Sequence, residues 1–314
     1  MNGRAVLAVG GNALIRDERH QTVEDQYQAA GEATSHITEM IQRGWEVAVT
    51  HGNGPQVGFI LRRSELAAAE LHEVPLDVCG ADSQGAIGYA LQQNLLNDFQ
   101  ECGIRKTVAT LITQTEVRAD DPAFTHPSKT IGSFMTEEVA RQRRDKDGWE
   151  VVEDAGRGWR RVVPSPVPRR IVEAKAIQAL LAAGVVTITT GGGGIPVVAD
   201  EKGRLRGVAA VIDKDLAAAL LANAIGADLL IISTAVEKVA LNWSCPDQSW
   251  IDQMTLAQAR RYLAEGVHFE AGSMAPKIQA VINYLEGGGR RVIITNPANI
   301  QRALDGKTGT HILP

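Results

Sequence analysis

VVTITTGGGGIPVV, residues 185–198, is the stretch of sequence that best predicts the fold. Its first five residues, 185–189, are rich in β-branched side chains and predict a buried strand. A run of glycines costs conformational entropy on folding, so it is expected where the backbone must approach another group closely. That group is either a phosphate held by backbone N–H groups or protein packed against a tight corner, and the run alone leaves both open. The glycines are Gly191, Gly192, Gly193 and Gly194.

Two other stretches repeat this pattern of a short apolar run that ends in a glycine turn. Residues 6–12 read VLAVGGN, and residues 47–54 read VAVTHGNG. Apolar runs alternate with helical patterns along the chain, which predicts an α/β fold with a mainly parallel sheet. The carboxyl ends of parallel strands meet at one edge of a sheet, where such folds bind their ligands. We therefore expect the three turns, with Gly191, Gly192, Gly193 and Gly194 among their phosphate-binding residues, to converge on one anionic ligand.

One segment, residues 120–163, differs from the strands and helices around it. It is polar, has a helical pattern over 136–144, and ends in a predicted hairpin of 149–152 and 159–163. Its charge density and weak core pattern indicate an excursion from the main sheet, either a lid or a plain surface insertion. We interpret residues 1–314 as a single domain whose halves, 1–184 and 185–314, enclose the ligand cleft.

Composition narrows the class of protein. The chain has 314 residues, 44% hydrophobic and 22% charged, with a net charge of −5, so no nucleic-acid surface is predicted. Cys79, Cys102 and Cys245 form no CxxC pair, which argues against disulfides or zinc and favours a reducing cytoplasm. Residues 176–199 carry no charge but contain threonines, glycines and a proline, so we expect no membrane span; we also expect no signal peptide.

Several common catalytic motifs are absent from the sequence. There is no GxxxxGK[ST] loop, and no GxGxxG opens a helix, so neither a P-loop nor a dinucleotide oxidoreductase is supported. GxSxG and HExxH are also absent, and the seven histidines lack metal-binding spacing. We therefore predict no set of metal-ligating residues, and we interpret His51 as a support for the second glycine turn.

Three lysines are candidates for charge chemistry. Lys214 and Lys277 each lie near a predicted helix start, where the positive end of the helix dipole disfavours a lysine. Either a bound anion removes this conflict or both lysines are solvated surface residues. Asp213 and Asp215 would either orient Lys214 or simply favour the helix dipole. Lys129 lies in the polar excursion, where it is either an exposed surface lysine or, on a lid, a residue carried over a bound anion.

A set of motifs runs in order along nearly the whole chain and resembles that of a known family. The motifs are 10–14 (GGNAL), 50–58 (THGNGPQVG), 83–85 (SQG) with 87–89 (IGY), 161–166 (RVVPSP), 191–197 (GGGGIPV), 211–215 (VIDKD) and 272–277 (GSMAPK).

The family is carbamate kinase, part of the amino-acid kinase superfamily. The resemblance implies an open three-layer α/β/α sandwich with a mainly parallel sheet of about eight strands and a small protruding subdomain at 120–163. It also implies a homodimer and Mg²⁺ bound with ATP or ADP. The family reaction is reversible: ATP and carbamate give ADP and carbamoyl phosphate. In fermentative arginine breakdown it usually runs toward ATP.

The resemblance also assigns roles to single residues. Lys214 and Lys277 match the lysines on the terminal phosphates of the nucleotide, and Asp215 matches the carboxylate that organises them. Lys129 matches the subdomain lysine that reaches the site. The first half of the chain would hold carbamate and phosphoryl groups, and the second half would hold the nucleotide. The matching glycine-turn residues are Gly10, Gly11, Asn12, Gly52, Asn53 and Gly54, and the nucleotide-side residues are Ser233, Ala235, Val236, Met274 and Pro276.

Four residues depart from the family pattern and keep other functions open. Ala235 stands where an aspartate is expected, which bears on nucleotide affinity and base preference. Val167 replaces a common lysine, Asp82 an apolar residue, and Thr130 a proline beside Lys129. The alternatives to an active carbamate kinase are a non-catalytic binder of nucleotide or carbamoyl phosphate and a related kinase for another small acid.

Overall fold

A computed structural model describes residues 3–10, 22–154, 158–270 and 272–314, without the side chain of Ser133. The strands are β1 (Arg4–Val9), β2 (Glu46–His51), β3 (Val108–Thr110), β4 (Gln114–Glu116), β5 (Lys129–Met135), β6 (Glu150–Glu153), β7 (Trp159–Val163), β8 (Arg170–Ile171), β9 (Val186–Ile188), β10 (Ile195–Ala199), β11 (Leu205–Gly207), β12 (Leu229–Ser233), β13 (Val239–Leu241), β14 (Ser249–Ile251), β15 (Gln253–Thr255), β16 (Arg291–Thr295) and β17 (Thr310–Leu313). The helices are α1 (Val23–Gln42), α2 (Gly54–Ala67), α3 (Leu76–Glu101), α4 (Glu137–Asp147), α5 (Ala174–Ala182), α6 (Lys214–Ala224), α7 (Leu256–Glu265), α8 (Met274–Glu286) and α9 (Ile300–Leu304).

Eight strands form the main sheet, in the order β15–β17–β16–β12–β1–β2–β9–β3. The strands from β16 to β3 in this order pair in parallel, and β17 pairs antiparallel with β16. The chain proceeds from β1 to β2 on one side and later adds β12 and β16 on the other. The order therefore reverses between β1 and β12, and such a point opens a crevice at the carboxyl ends of the strands.

Helices cover both faces of this sheet. Along β1, Ala5, Leu7 and Val9 pack in a core with α1 and α3, because alternate side chains of a strand point to opposite faces. Val6 and Ala8 face the other way, into a core with α5, α6 and α8. These two cores make three layers, so the predicted α/β/α sandwich with a mainly parallel sheet is confirmed.

The polar excursion forms a separate subdomain, here called the three-stranded subdomain (β5, α4, β6 and β7). Its strands pair antiparallel in the order β5–β7–β6, which confirms the predicted hairpin of β6 and β7. Strand β5 was not expected from the sequence. Ile131 of β5 and Val163 of β7 pack on Val57 of α2, which joins the subdomain to the body.

The glycines at one contact allow α2 and β5 to approach closely. A Cβ built on Gly58 of α2 would lie 2.7 Å from the Cα of Gly132, which has a φ of +71°. No side chain fits between the two backbones at this point, so the small residues set how close the subdomain lies to the body.

The expected third strand, within 107–117, is instead two strands in different sheets. Strand β3 lies at the edge of the main sheet, whereas β4 pairs with β10 and β8 in a second sheet. The chain leaves the main sheet at Thr113, whose N–H donates to the Oε1 atom of Gln84 at 2.8 Å. The helix expected over 171–183 begins later, at Ala174, because Arg170–Ile171 pairs with β4.

The four-glycine run forms a buried, tightly wound turn after β9. Thr190 has a φ of +53°, and Gly192, Gly193 and Gly194 also have positive φ values, which favour glycine. A Cβ on Gly193 would lie 2.8 Å from the carbonyl oxygen of Ile212. Added Cβ atoms at the other three glycines would collide with His51, Asn53 and Thr115. On the side of the added Cβ atoms, the run therefore approaches the protein closely.

Replacing Gly193 by alanine should destabilise the protein more than replacing Gly288. The two glycines have φ values of +92° and +95°, so the backbone strain of an added Cβ is matched. A Cβ at Gly288 meets nothing within 4 Å, whereas one at Gly193 crowds Ile212. Urea unfolding should show an extra loss of about 1–3 kcal/mol in unfolding free energy for Gly193→Ala. Equal losses of unfolding free energy in the two variants would show that the turn accommodates the added Cβ, and would contradict this prediction.

Candidate active site

The glycine turns meet at the carboxyl edge of the sheet, as the sequence predicts. Strands β12, β1, β2 and β9 are consecutive neighbours and run parallel, so their carboxyl ends share one edge. A Cβ on Gly10 would lie 3.0 Å from the carbonyl oxygen of Ser233, and the N–H of Gly52 donates to the Val9 carbonyl at 3.0 Å. Gly11 and Asn12 lie outside the described residues.

The second turn is held by buried polar contacts. The Asn53 side chain donates from Nδ2 to the hydroxyl of Ser83 at 2.8 Å, and Ser83 donates to the Gly80 carbonyl at 2.6 Å. His51 donates from Nδ1 to the Gly52 carbonyl at 3.0 Å. Burial and, to a smaller extent, the charge of Lys214 lower the pKa of His51 to about 4. The imidazole is therefore neutral at pH 7 and supports the turn, as interpreted from the sequence.

Gln84 of α3 connects two loops of the site, a role that the sequence reasoning missed. Its Nε2 atom donates to the carbonyls of Thr113 and Gly191, at 3.1 and 3.0 Å, while its Oε1 atom accepts from Thr113. Only 1% of Gln84 is exposed, so its bonds are made in a buried setting where an unmade bond is costly. The available sequence signal for this role was the side-chain amide of Gln84 within the Ser83–Gln84 motif.

Asp215 lies between two of the three candidate lysines. Lys214 Nζ is 2.6 Å from Asp215 Oδ1, and Lys277 Nζ is 3.2 Å from Asp215 Oδ2. The predicted positions of both lysines at helix starts are confirmed, because Lys214 opens α6 and Lys277 is in the first turn of α8. One carboxylate therefore holds together the amino ends of two helices from distant parts of the chain.

The charge state of this cluster follows from its burial and its ion pairs. Burial alone would raise the pKa of the Asp215 carboxyl, but the ammonium groups of Lys214 and Lys277 outweigh it and lower the pKa to about 2. The carboxylate is ionised at neutral pH and neutralises one of the two ammonium charges. The cluster keeps one excess positive charge at the positive ends of two helices, which favours a bound anion.

Lys129 reaches this cluster from the three-stranded subdomain. Its Nζ atom is 2.9 Å from Asp213 Oδ2, while Asp213 Oδ1 accepts from the backbone N–H groups of Asp215 and Leu216 at 2.9 and 3.3 Å. Asp213 thus caps α6 and pairs with Lys129. Of the two readings left open by the sequence, the capping by Asp213 agrees with the one that favours the helix dipole, whereas Asp215 pairs with Lys214 as in the other.

The residues expected on the nucleotide side lie near the same edge of the sheet. Ser233 ends β12 and is buried, Ala235 is exposed and Val236 is partly buried. Met274 and Pro276 lie in the first turn of α8, next to Lys277.

Within the ranges that the structure describes, no three His, Cys, Asp or Glu side chains group to hold a metal ion. Nor is any helix in those ranges long and apolar enough to span a bilayer.

Comparison with known proteins decides the family. A model of the amino acid kinase family matches residues 3–296. The chain belongs to this family. It is 46% identical to the carbamate kinase of Pyrococcus horikoshii over 317 aligned residues, with full coverage of both. It is 48% identical to the carbamate kinase-like protein YahI of Escherichia coli, covering 100% of this chain and 99% of that protein.

A solved structure gives the same result. The carbamate kinase of Giardia lamblia bound to AMP-PNP superposes with a TM-score of 0.92 at 40% identity, covering 99% of this chain and 98% of that one. The resemblance to carbamate kinases and the predicted fold class are therefore confirmed. By family, the protein is a kinase-type phosphotransferase.

The Asp215→Asn substitution tests the charge cluster. A carboxylate whose pKa falls on folding stabilises the folded state above its unfolded pKa of about 3.9 and loses this effect as the pH falls. The wild type should be more stable than Asp215→Asn at neutral pH, and urea unfolding should show this advantage shrinking from about pH 5 to about pH 2.

The Lys277→Met variant is the control for this measurement. It leaves the Lys214–Asp215 pair in place, so the pH dependence of stability should be weaker than in the wild type but still present. A wild-type advantage over Asp215→Asn that does not change with pH would contradict the assigned ion pairs.

Proposed function

We propose that this protein is a carbamate kinase, which transfers a phosphoryl group reversibly between ATP and carbamate and so interconverts them with ADP and carbamoyl phosphate. The observation that carries the proposal is the convergence of three lysines and two aspartates beside the glycine turns. Full-length relatives named carbamate kinase support it.

The reaction needs the chemistry that this cluster provides. Carbamate is already an anion with a nucleophilic oxygen, so no general base is required. The difficulty is to bring two anions together and to stabilise the charge on the transferring group, which is mainly a matter of positioning and electrostatics. In the proposal, Lys214 and Lys277 bind the terminal phosphates, and Asp215 holds both ammonium groups in place.

The first half of the chain holds carbamate and the transferred phosphoryl group in this proposal. The turns after β1 and β2 supply Gly10, Gly52, Asn53 and Gly54, together with Gly11 and Asn12. Gly191, Gly192, Gly193 and Gly194 bind the same phosphoryl oxygens in this proposal, and Gly191 and Gly192 also pack on His51 and Asn53 of the second turn. Backbone N–H groups of such turns are suited to phosphoryl oxygens.

The second half holds the nucleotide, beside Ser233, Ala235 and Val236 on one side and Met274 and Pro276 on the other. Mg²⁺ enters as part of the nucleotide substrate, because this ion usually keeps several waters and is bound largely through phosphates. The chemistry that it supplies is neutralisation of charge on the phosphates.

The three-stranded subdomain acts as a lid in this proposal. Lys129 is 36% exposed and pairs with Asp213 at the edge of the cluster. Exposed ion pairs are weak, so Lys129 can leave Asp213 for the transferred group when substrate binds.

The cellular setting is part of the same proposal. We place the enzyme in the cytoplasm, where its three free cysteines stay reduced, and in arginine or related nitrogen catabolism in the direction of ATP. A homodimer is supported by an apolar surface that a second copy would cover, since Val78, Tyr89 and Leu96 of α3 are exposed.

The first measurement is ATP formation from ADP, Mg²⁺ and carbamoyl phosphate. Lys214→Ala and Lys277→Ala should each lower kcat by about 100-fold or more. Each substitution removes an ammonium group whose positive charge stabilises the phosphoryl group during transfer. Lys307→Ala is the matched control, since Lys307 pairs with Asp305 at the surface and its side chain is 67% exposed. Normal turnover in either site variant would overturn its assigned role.

Two other functions are motivated by particular observations. The exposed Ala235 favours a binder without activity, and the 48% identity to a carbamate kinase-like protein favours a related kinase with another substrate. Tight ADP binding by calorimetry without turnover would favour the binder. A panel of small acids would identify the related kinase, and exclusive use of carbamate would dismiss it.

A further inference from the structure

A cavity of about 370 Å³ lies between α2 and the three-stranded subdomain. Its walls are mainly apolar and include Leu61 of α2, Ile131 of β5 and Val139 of α4. None of the lysines in the candidate active site lines it. The contact between Gly58 and Gly132 fixes α2 against β5 at its edge, so the cavity is preformed.

The charged residues of this cavity are three arginines and one glutamate. Glu65 pairs with both Arg62, at 3.2 Å, and Arg143, at 3.5 Å, and Arg143 also pairs with Asp147 at 2.8 Å. Two of the arginines are therefore supplied with carboxylates by the protein. Among the residues that line the cavity, three arginines face one carboxylate.

Arg161 is the arginine of this cavity that makes no direct ion pair, although the carboxylates of Glu65, Asp147 and Glu73 lie near enough to favour its charge. Its guanidinium lies on the ring of Trp149, with Cζ 4.6 Å from the ring centroid, and Arg143 lies 4.9 Å from the same centroid. Among the residues that the structure describes, the Arg161 side chain has this ring contact and no direct hydrogen bond or ion pair. Burial lowers the pKa of Arg161, which nevertheless stays charged as arginines do in proteins.

We propose that this cavity is a second ligand site, which binds a small organic carboxylate with a flat apolar body. The carboxylate binds the guanidinium of Arg161, whose planar donors suit a carboxylate. The apolar body lies among Leu61, Ile131 and Val139, as is usual for small-molecule sites. Carbamate has no such body, so this ligand is a different molecule from the substrate of the proposed reaction.

The test uses benzoate as the probe and benzamide as its neutral analogue of the same shape. Calorimetry on the full chain should show saturable benzoate binding and at least about tenfold weaker binding of benzamide. Arg161→Gln should weaken benzoate binding to the same extent. Absence of saturation by benzoate, or equal binding of the two probes, would overturn the proposal.

Two further variants complete the test. One keeps the test valid if Arg161→Gln fails to fold, and the other shows whether benzoate binds in the active site instead. Val139→Phe fills the cavity from a position that is 41% exposed, so it should fold and lose benzoate binding while keeping Arg161. Lys214→Ala should bind benzoate normally, whatever its kinase activity. Loss of binding in Lys214→Ala with retention in Val139→Phe would place benzoate in the active site and overturn the proposal.

Discussion

The contact on which the candidate site depends is the carboxylate of Asp215 between Lys214 and Lys277. Without it, two ammonium groups would lie together at the positive ends of α6 and α8, where both like charge and the helix dipoles oppose them. Because Asp215 is buried, its carboxylate cannot turn to water for a partner. A buried carboxylate must be paired, and one that faces two lysines at 2.6 and 3.2 Å keeps both in fixed positions.

The sheet brings this contact to the glycine turns. Because β12, β1, β2 and β9 are adjacent and parallel, the turns that follow them must share one edge, and α6 begins beside the turn after β9. The glycine run lets β9 lead into that edge without side chains, and the space is filled by His51, Asn53, Ile212 and Thr115. The run therefore packs closely against neighbouring groups of the site.

Local patterns predicted much of this arrangement. The β-branched run before the glycines indicated a strand, and helix-start patterns correctly placed Lys214 and Lys277. What the sequence did not reveal are contacts made across long separations. Gln84 and Thr113 are 29 residues apart, and their hydrogen bond directs the chain out of the main sheet. Similarly, β5 pairs with β7, from which α4 and β6 separate it along the chain, so this contact too is made across a long separation.

The Lys129–Asp213 ion pair differs from the buried pairs in how it responds to the surrounding solution. The side chain of Lys129 is 36% exposed, whereas that of Asp215 is 3% exposed. Mobile ions screen exposed charges over a Debye length of about 8 Å at physiological ionic strength, and buried pairs are screened much less. Ionic strength therefore acts selectively on this molecule. Added salt weakens the Lys129–Asp213 pair more than the pairs of Asp215, while the apolar contact of Ile131 and Val163 with Val57 still joins the subdomain to the body.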